Sequence, residues 1–330
     1  MTANGPAGSA RQRIRLGWFH VIGGLLALAA LGAVIARVAG DWHEVRTALN
    51  DAELSWLLLA AGAAGSAMTT IAVLWRQVLR ALDVEVAVAD TVARYYVGEL
   101  GKYVPGGVWP VIGRGELAVR AGVRRSAAYA SVALSLVVLY IAGAGVALIG
   151  LASSADRPWL RWAPPAVLVL GVAALHPRLL RALLRVAERL LRRRITLAVP
   201  RWRTSVTLVL AYVPVWVLVG TSTWAVARAF DPSAGWWRVT GAAALSWLVG
   251  FLLVPAPGGV GVREATFVAA ATTLDPAIAA TTALVARLLF VVTDVVGAAV
   301  GARVSSRPDP RAADRRPGSD LRADDRPGEG

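Results

Sequence analysis

Long apolar segments recur along almost the whole chain, from residue 16 to residue 301, and they constrain its fold more than any other feature. The composition agrees with this pattern, since 56% of the 330 residues are hydrophobic and only 17% are charged. An ordinary soluble domain carries about 25% charged residues, so this chain has too little polar surface to cover a globule in water. We therefore predict an all-α integral membrane protein, because only helices and closed barrels satisfy their backbone inside lipid.

Six segments are apolar enough to predict membrane-spanning helices, each of which needs roughly 20 mostly apolar residues. They are Leu16–Ala39, Leu54–Trp75, Ser126–Leu151, Trp162–Leu175, Val206–Ala227 and Pro276–Gly301. A cleaved signal peptide is the alternative for the first of them. Its apolar run exceeds the usual signal-peptide core of about 7–15 residues, and Arg37 stands where a small residue would precede the cleavage site. We interpret it as an anchored first helix.

The net charge of +14 is almost entirely due to arginine, and Lys102 is the single lysine. Arginine-rich loops mark the cytoplasmic side of a membrane protein. We therefore predict a multi-pass plasma-membrane protein with a cytoplasmic arm at residues 1–15, a membrane domain at 16–301 and a cytoplasmic tail at 302–330. The tail has almost no apolar residues and is predicted to be disordered. The arginines lie beside spans and not on one soluble face, so nucleic acid is not a predicted partner.

Two further apolar segments, Ala89–Gly113 and Thr240–Leu274, are broken in the middle by proline and glycine. Arginines flank the first segment on both sides, so a single crossing would place one of the two arginine clusters outside the cell. A single crossing by the second segment would leave the arginine-rich tail outside. Both conflicts disappear if each segment is a re-entrant hairpin that turns at its break; eight short spans are the alternative. Non-helical backbone is tolerated at membrane depth only beside protein or a water-filled cavity, so the breaks point to a site.

The two breaks carry the same short motif. They read Pro105-Gly106-Gly107-Val108 and Pro257-Gly258-Gly259-Val260, and an arginine and a glutamate follow each. Freed backbone amides at such a tip suit anionic groups. The first hairpin is predicted to enter from the cytoplasm and the second from outside, as in inverted-repeat transporters, where broken elements meet around the substrate. The alternative is that each motif is only an interfacial turn between short helices.

The residues around these breaks are similar to the signature regions of a known family. They read YVGELGKYVPGGVWP at residues 96–110 and PAPGGVGVRE at residues 255–264. These stretches resemble the lysylphosphatidylglycerol synthase transmembrane-region family, the flippase-like membrane domain of the multiple peptide resistance proteins. The resemblance implies a lipid-translocating membrane domain. It also implies a stand-alone member, because the soluble aminoacyl-transfer domain that follows the membrane part in the synthases is replaced here by a short polar tail.

Charged side chains inside apolar segments are the main candidates for substrate binding, because they are costly at membrane depth and usually face a cavity or a partner. Together with the break residues, the candidates are Glu99, Lys102, Pro105, Gly106, Gly107, Arg114, Pro257, Gly258, Gly259, Arg263, Glu264, Arg287 and Asp294.

An arginine binds a phosphodiester with two parallel hydrogen bonds and stays charged at depth. We therefore expect Arg114 and Arg263 to bind a headgroup phosphate, assisted by Lys102. Glu99 stands three residues before Lys102 and can pair with it. The acids would balance charge or meet a cationic headgroup. For Arg287 and Asp294, on one face of the last helix, the alternative is purely structural neutralisation through a neighbouring helix.

The segment Arg178–Arg194 places its leucines in one helical stripe and its arginines opposite them. This pattern is typical of an amphipathic helix lying on anionic lipid. Ordinary cytoplasmic charge on a connecting helix is an equally good interpretation, and the two are compatible.

The sequence predicts no cofactor and no metal site. The chain has no cysteine, its three histidines lack a second ligand at zinc-like spacing, and no phosphate-binding loop of the nucleotide-driven pumps is found. The leading function is translocation of a phospholipid or lipid-linked headgroup, with membrane lipids, anionic ones above all, as partners. The alternatives are a membrane-embedded transferase using carboxylates of the loop Asp41–Glu53, or a non-catalytic partner subunit. Assembly with further copies or with another membrane protein is left open.

Overall fold

The computed structural model describes residues 53–103, 108–153, 162–191, 199–252, 259 and 261–305. Within these ranges the fold is all-helical, with ten α-helices and one 3-10 turn. The helices are α1 Leu54–Ala81, α2 Val88–Glu99, α3 Trp109–Arg120, α4 Arg125–Ala152, α5 Ala163–Ala174, α6 Pro177–Leu191, α7 Trp202–Phe230, α8 Trp236–Leu252, α9 Val262–Ala270 and α10 Pro276–Ser305, and the 3-10 turn Leu100–Tyr103 follows α2. The predicted all-α membrane architecture is confirmed.

Four helices, α1, α4, α7 and α10, are long and apolar enough to cross a membrane. A helix of 28 residues, such as α1, is about 42 Å long and exceeds the roughly 30 Å hydrocarbon core of a bilayer. These helices coincide with four of the six predicted spans. Several predicted segments lie outside the described residues. They are the arm 1–15, the span Leu16–Ala39, the loop Asp41–Glu53 except for its last residue, and the tail beyond residue 305.

The predicted span Trp162–Leu175 forms α5, which is shorter than a span. Its 12 residues reach only about 18 Å. Together, α5 and α6 are long and apolar enough to cross, but they are bent by 60° at the break between them. The described residues therefore contain four spans, or five if this bent pair is one.

The core lies where α1, α4 and α7 pack together. In lipid, helices associate through close packing and interhelical hydrogen bonds, and small residues permit the close approach. A stripe of alanines on α1 is buried in this way, comprising Ala60, Ala63, Ala64, Ala67 and Ala72. Two tryptophans bridge the helices: Trp75 Nε1 donates to Ser131 Oγ at 3.1 Å, and Trp216 Nε1 donates to the Leu139 carbonyl at 2.8 Å. Each large ring thus satisfies its single donor inside the core.

Helices α4 and α8 touch backbone to backbone where Gly150 meets Gly241. A Cβ added to Gly241 would lie 2.6 Å from the Gly150 Cα atom, so a larger residue would force the helices apart. This crossing positions α8, and α8 carries one wall of the site described below.

The two broken segments fold as hairpins. In the first, α2 packs against α3, and in the second, α8 packs against α9. Helix α10 contacts α2, the 3-10 turn and α9, so it lies against both hairpins. Among the break residues, Gly259 is described and has a left-handed backbone with φ of 70°. Pro105, Gly106, Gly107, Pro257 and Gly258 lie outside the described residues, and re-entrance of the two segments stays a prediction.

The substitution Gly241→Ala should lower the thermal stability of the purified protein, because the added methyl meets Gly150 backbone that cannot give way. Overpacking of a tight contact costs about 1–3 kcal/mol. The matched control is Gly62→Ala on α1, where an added Cβ meets no described atom within 4 Å and the gain in helix propensity is the same. Thermal unfolding in nanodiscs should give a midpoint several degrees lower for Gly241→Ala than for the control. Equal midpoints would contradict the packing.

Candidate functional site

A cavity of about 50 Å³ lies where the two hairpins meet α10. Its walls come from the 3-10 turn and from α7, α8, α9 and α10. The lining residues are Lys102, Tyr103, Thr223, Ala243, Ser246, Trp247, Arg263, Glu264, Phe267, Ala283, Ala286, Arg287, Phe290 and Val291. Residues next to both breaks therefore line one space. A cavity of this size holds only a few water molecules.

Lys102 is the centre of a buried charge network at one end of the cavity. Its Nζ lies 2.6 Å from Asp294 Oδ2 and 3.4 Å from Glu99 Oε1. Tyr103 donates a hydrogen bond to the same Asp294 oxygen at 2.7 Å. The Asp294 side chain is 0% exposed, and a buried carboxylate is tolerated only with partners of this kind. The network fastens the first hairpin to α10.

A second ion pair fastens the second hairpin to the same helix. Arg287 of α10 donates through Nη1 to Glu264 Oε1. The other oxygen of that carboxylate, Oε2, accepts from the backbone N–H of Gly261 at 2.7 Å and so caps the first turn of α9. Arg287 and Asp294 therefore do not neutralise each other directly. Each pairs with a different hairpin.

Arg263 differs from the other cations of the cavity. Its guanidinium lies over the Trp247 ring, with Cζ 4.4 Å from the ring centroid. Its Nε is buried without a hydrogen-bond partner among the described residues. The Arg263 side chain also forms no ion pair with any carboxylate that the structure describes. Ser246 Oγ donates to its backbone carbonyl at 2.7 Å and holds the start of α9 against α8. A guanidinium with unused donors beside a cavity suits a phosphate or a carboxylate.

Arg114 contacts Glu99 and does not line the cavity. Its side chain is 3% exposed and its Nε lies 3.9 Å from Glu99 Oε2. The same Nε donates to the Pro110 carbonyl at 3.3 Å. Arg114 therefore supports the Lys102 network from the protein side, and its predicted contact with a headgroup phosphate stays a prediction.

The two hairpins repeat one arrangement around their arginines. Arg114 packs its Cγ against Gly98 of the facing arm, and Arg263 packs its Cγ against Gly250. Arg114 Cζ lies 5.2 Å from the centroid of the Tyr95 ring, as Arg263 lies over Trp247. In both hairpins the aromatic residue stands three positions before the glycine. The repetition of side-chain contacts is stronger support for a structural repeat than the break motif alone.

The sequence carries a longer repeat than the Pro-Gly-Gly-Val motif. Val-Gly-x-Leu begins at Val97 and again at Val249, at the same distance before each Pro-Gly-Gly. The variable position of this extension holds Glu99 in the first hairpin and Phe251 in the second. Glu99 is the acid that Arg114 contacts, whereas the corresponding position of the second hairpin is a phenylalanine and offers no carboxylate to Arg263.

The fold and the site define a class: an all-helical, multi-span membrane protein with a small, charged cavity between two broken hairpins and a long helix. The family model of the lysylphosphatidylglycerol synthase TM region matches residues 21–297, and the chain belongs to this family. The resemblance seen in the two motifs is thereby confirmed. A search of curated proteins finds no match. Membership of this family indicates a membrane lipid-related role.

The substitution Lys102→Met should destabilise the protein strongly, because it removes the cation paired with buried Asp294. Breaking one side of a buried ion pair costs about 3–5 kcal/mol, whereas removing both partners costs much less. The double substitution Lys102→Met with Asp294→Asn should therefore unfold at a higher temperature than Lys102→Met alone.

The exposed pair between Arg125 and Glu116 on α4 and α3 is the control for this cycle, since the Arg125 side chain is 66% exposed. Surface pairs contribute about 0–1 kcal/mol, so Arg125→Met should hardly change the unfolding midpoint in nanodiscs. If Lys102→Met behaved like Arg125→Met, or if the double variant were no better than Lys102→Met, the buried pair would not hold the hairpin.

Proposed function

We propose that the protein translocates a phospholipid with an anionic headgroup, and that the headgroup passes through the cavity while the acyl chains stay in the bilayer. The observation that carries the proposal is the guanidinium of Arg263 on the cavity wall, which lacks a carboxylate partner among the described residues. Family membership supports a lipid as the transported molecule. The proposal keeps the predicted topology of a multi-pass plasma-membrane protein with both termini in the cytoplasm.

The balance of charge favours an anionic headgroup over a cationic one. Lys102 is matched by Asp294, Arg287 by Glu264, and Arg114 by Glu99. Arg263 leaves the cavity wall with one positive charge in excess. A phosphodiester carries one negative charge and accepts two parallel hydrogen bonds from a guanidinium, so it would bind Arg263 without first breaking an ion pair. A cationic headgroup would have to displace Lys102 or Arg287 from an acid.

The two ion pairs on α10 serve as gates in the proposed mechanism. Arg287 and Asp294 are separated by two helical turns, about 10 Å along the helix, and each holds one hairpin closed. A headgroup enters when one hairpin separates from α10 and leaves when the other does. As a hairpin opens, its ion pair separates into the water-filled opening, while the phosphate stays bound to Arg263. This sequence is alternating access between two broken elements.

The substitution Arg263→Gln should slow translocation of fluorescent phosphatidylglycerol at least about tenfold, because it removes the charge-assisted bonds to the phosphate. The rate for Arg263→Lys should fall between those of the unsubstituted protein and Arg263→Gln, since lysine keeps the charge but lacks the planar guanidinium. The assay measures loss of fluorescence to an external reductant in proteoliposomes. Arg238→Gln is the matched control, because Arg238 is an exposed arginine on α8 away from the cavity.

Two outcomes would contradict the proposal. Arg263→Gln could move phosphatidylglycerol as fast as the unsubstituted protein, in which case Arg263 does not bind the headgroup. The unsubstituted protein alone could fail to move any lipid, in which case a non-catalytic partner subunit is the better description.

A further inference from the structure

Helix α6 lies apart from the helical bundle. Among the described residues it makes no extensive contact with another helix. It leaves α5 at an angle of 60°. The corner between the two helices is held by His176, whose ring packs against Trp202 at the start of α7 with centroids 5.1 Å apart. A 15-residue helix is thus fixed by the residue that precedes it and has one long side without a described protein neighbour.

The two sides of α6 differ sharply in chemistry. At 100° per residue, its four arginines fall within an arc of about 80°; they are Arg178, Arg181, Arg185 and Arg189, all exposed. The opposite side is apolar, with Leu179, Leu183 and Val186 exposed to 46%, 57% and 51%. An exposed apolar stripe of this length is costly in water, so something covers it.

A membrane-spanning position for α6 is the less favourable one. An arginine at the centre of a spanning helix is among the costliest residues to insert into a bilayer, and α6 carries four of them against one acid, Glu188. A position in the membrane surface satisfies both sides of the helix at once, because the leucines enter the acyl region and the arginines stay at the headgroups.

We propose that α6 lies in the membrane–water interface and that its arginine face is a binding surface for anionic phospholipid headgroups. Charge complementarity selects this occupant, since guanidinium groups bind phosphate oxygens and arginines near a membrane surface attract anionic lipids. The arginines are prearranged along the helix: Arg181 Nε donates to the Pro177 carbonyl at 3.0 Å and Arg185 Nε donates to the Arg181 carbonyl at 3.4 Å. No residue of α6 lines the cavity, so this surface is separate from the proposed translocation site.

The absence of cysteine from the chain permits a direct test on the full-length protein. A single cysteine at Leu183→Cys is labelled with an environment-sensitive fluorophore, and the protein is placed in vesicles of equal parts phosphatidylglycerol and phosphatidylcholine. Brominated acyl chains are carried by one lipid or by the other. We expect the label to be quenched about twofold more by brominated phosphatidylglycerol than by brominated phosphatidylcholine. A label at Arg185→Cys, on the opposite face, should instead be quenched by aqueous iodide.

Charge variants on the Leu183→Cys background isolate the arginines. Arg178→Gln with Arg181→Gln should bring the quenching ratio towards one, whereas Arg178→Lys with Arg181→Lys should preserve it. Equal quenching by the two lipids in the Leu183→Cys protein with all four arginines intact would overturn anionic recognition. A Leu183→Cys label shielded from both bromolipids and iodide would overturn the proposal as well, because a second copy or another protein segment would then cover the apolar stripe.

Discussion

The ion pair between Lys102 and Asp294 is the interaction on which the site depends. Asp294 is fully buried in a long membrane helix, and its charge is compatible with that position only while Lys102 and Tyr103 contact it. The requirement brings the first hairpin against α10. Glu264 and Arg287 impose the same requirement on the second hairpin. Two electrostatic constraints on one helix therefore place residues next to the breaks of two distant segments around a common cavity.

Arg263 breaks the pairing rule that the rest of the site obeys. Its neighbours are an indole ring and a serine that contacts its backbone, and no described acid pairs with it. Proteins often keep unfavourable local arrangements at functional sites. A buried cation without an adjacent carboxylate costs free energy unless a ligand supplies the counter-charge. From this excess charge we propose a lipid phosphate as the ligand, since it is the anion that a membrane supplies in quantity.

Much of the fold follows from the length and position of apolar runs, since α1, α4, α7 and α10 coincide with predicted spans. The pairing of Glu99 with Lys102 follows from helical spacing. The partner of Asp294 could not be predicted in this way, because it lies in another hairpin and depends on tertiary packing. Spacing placed Arg287 and Asp294 on one face but carried no information on which hairpin each would meet.

The two arginines after the breaks show the limit of a short motif. Arg114 and Arg263 occupy similar places in the sequence pattern, and equal roles were predicted for them. The difference comes from the facing arm, where Glu99 stands in one hairpin and Phe251 in the other. A longer comparison of the two segments would have found this signal. The bend between α5 and α6 could not be predicted either, since an apolar run does not reveal a 60° change of direction at the helix end.

An experimental structure in nanodiscs that contain phosphatidylglycerol tests the central claim most directly. The account predicts lipid density in a widened cavity between the hairpins and α10, with a phosphate oxygen within hydrogen-bond distance of the Arg263 guanidinium. A structure in which Arg263 is paired with a protein carboxylate and lipid phosphates bind only elsewhere would contradict it.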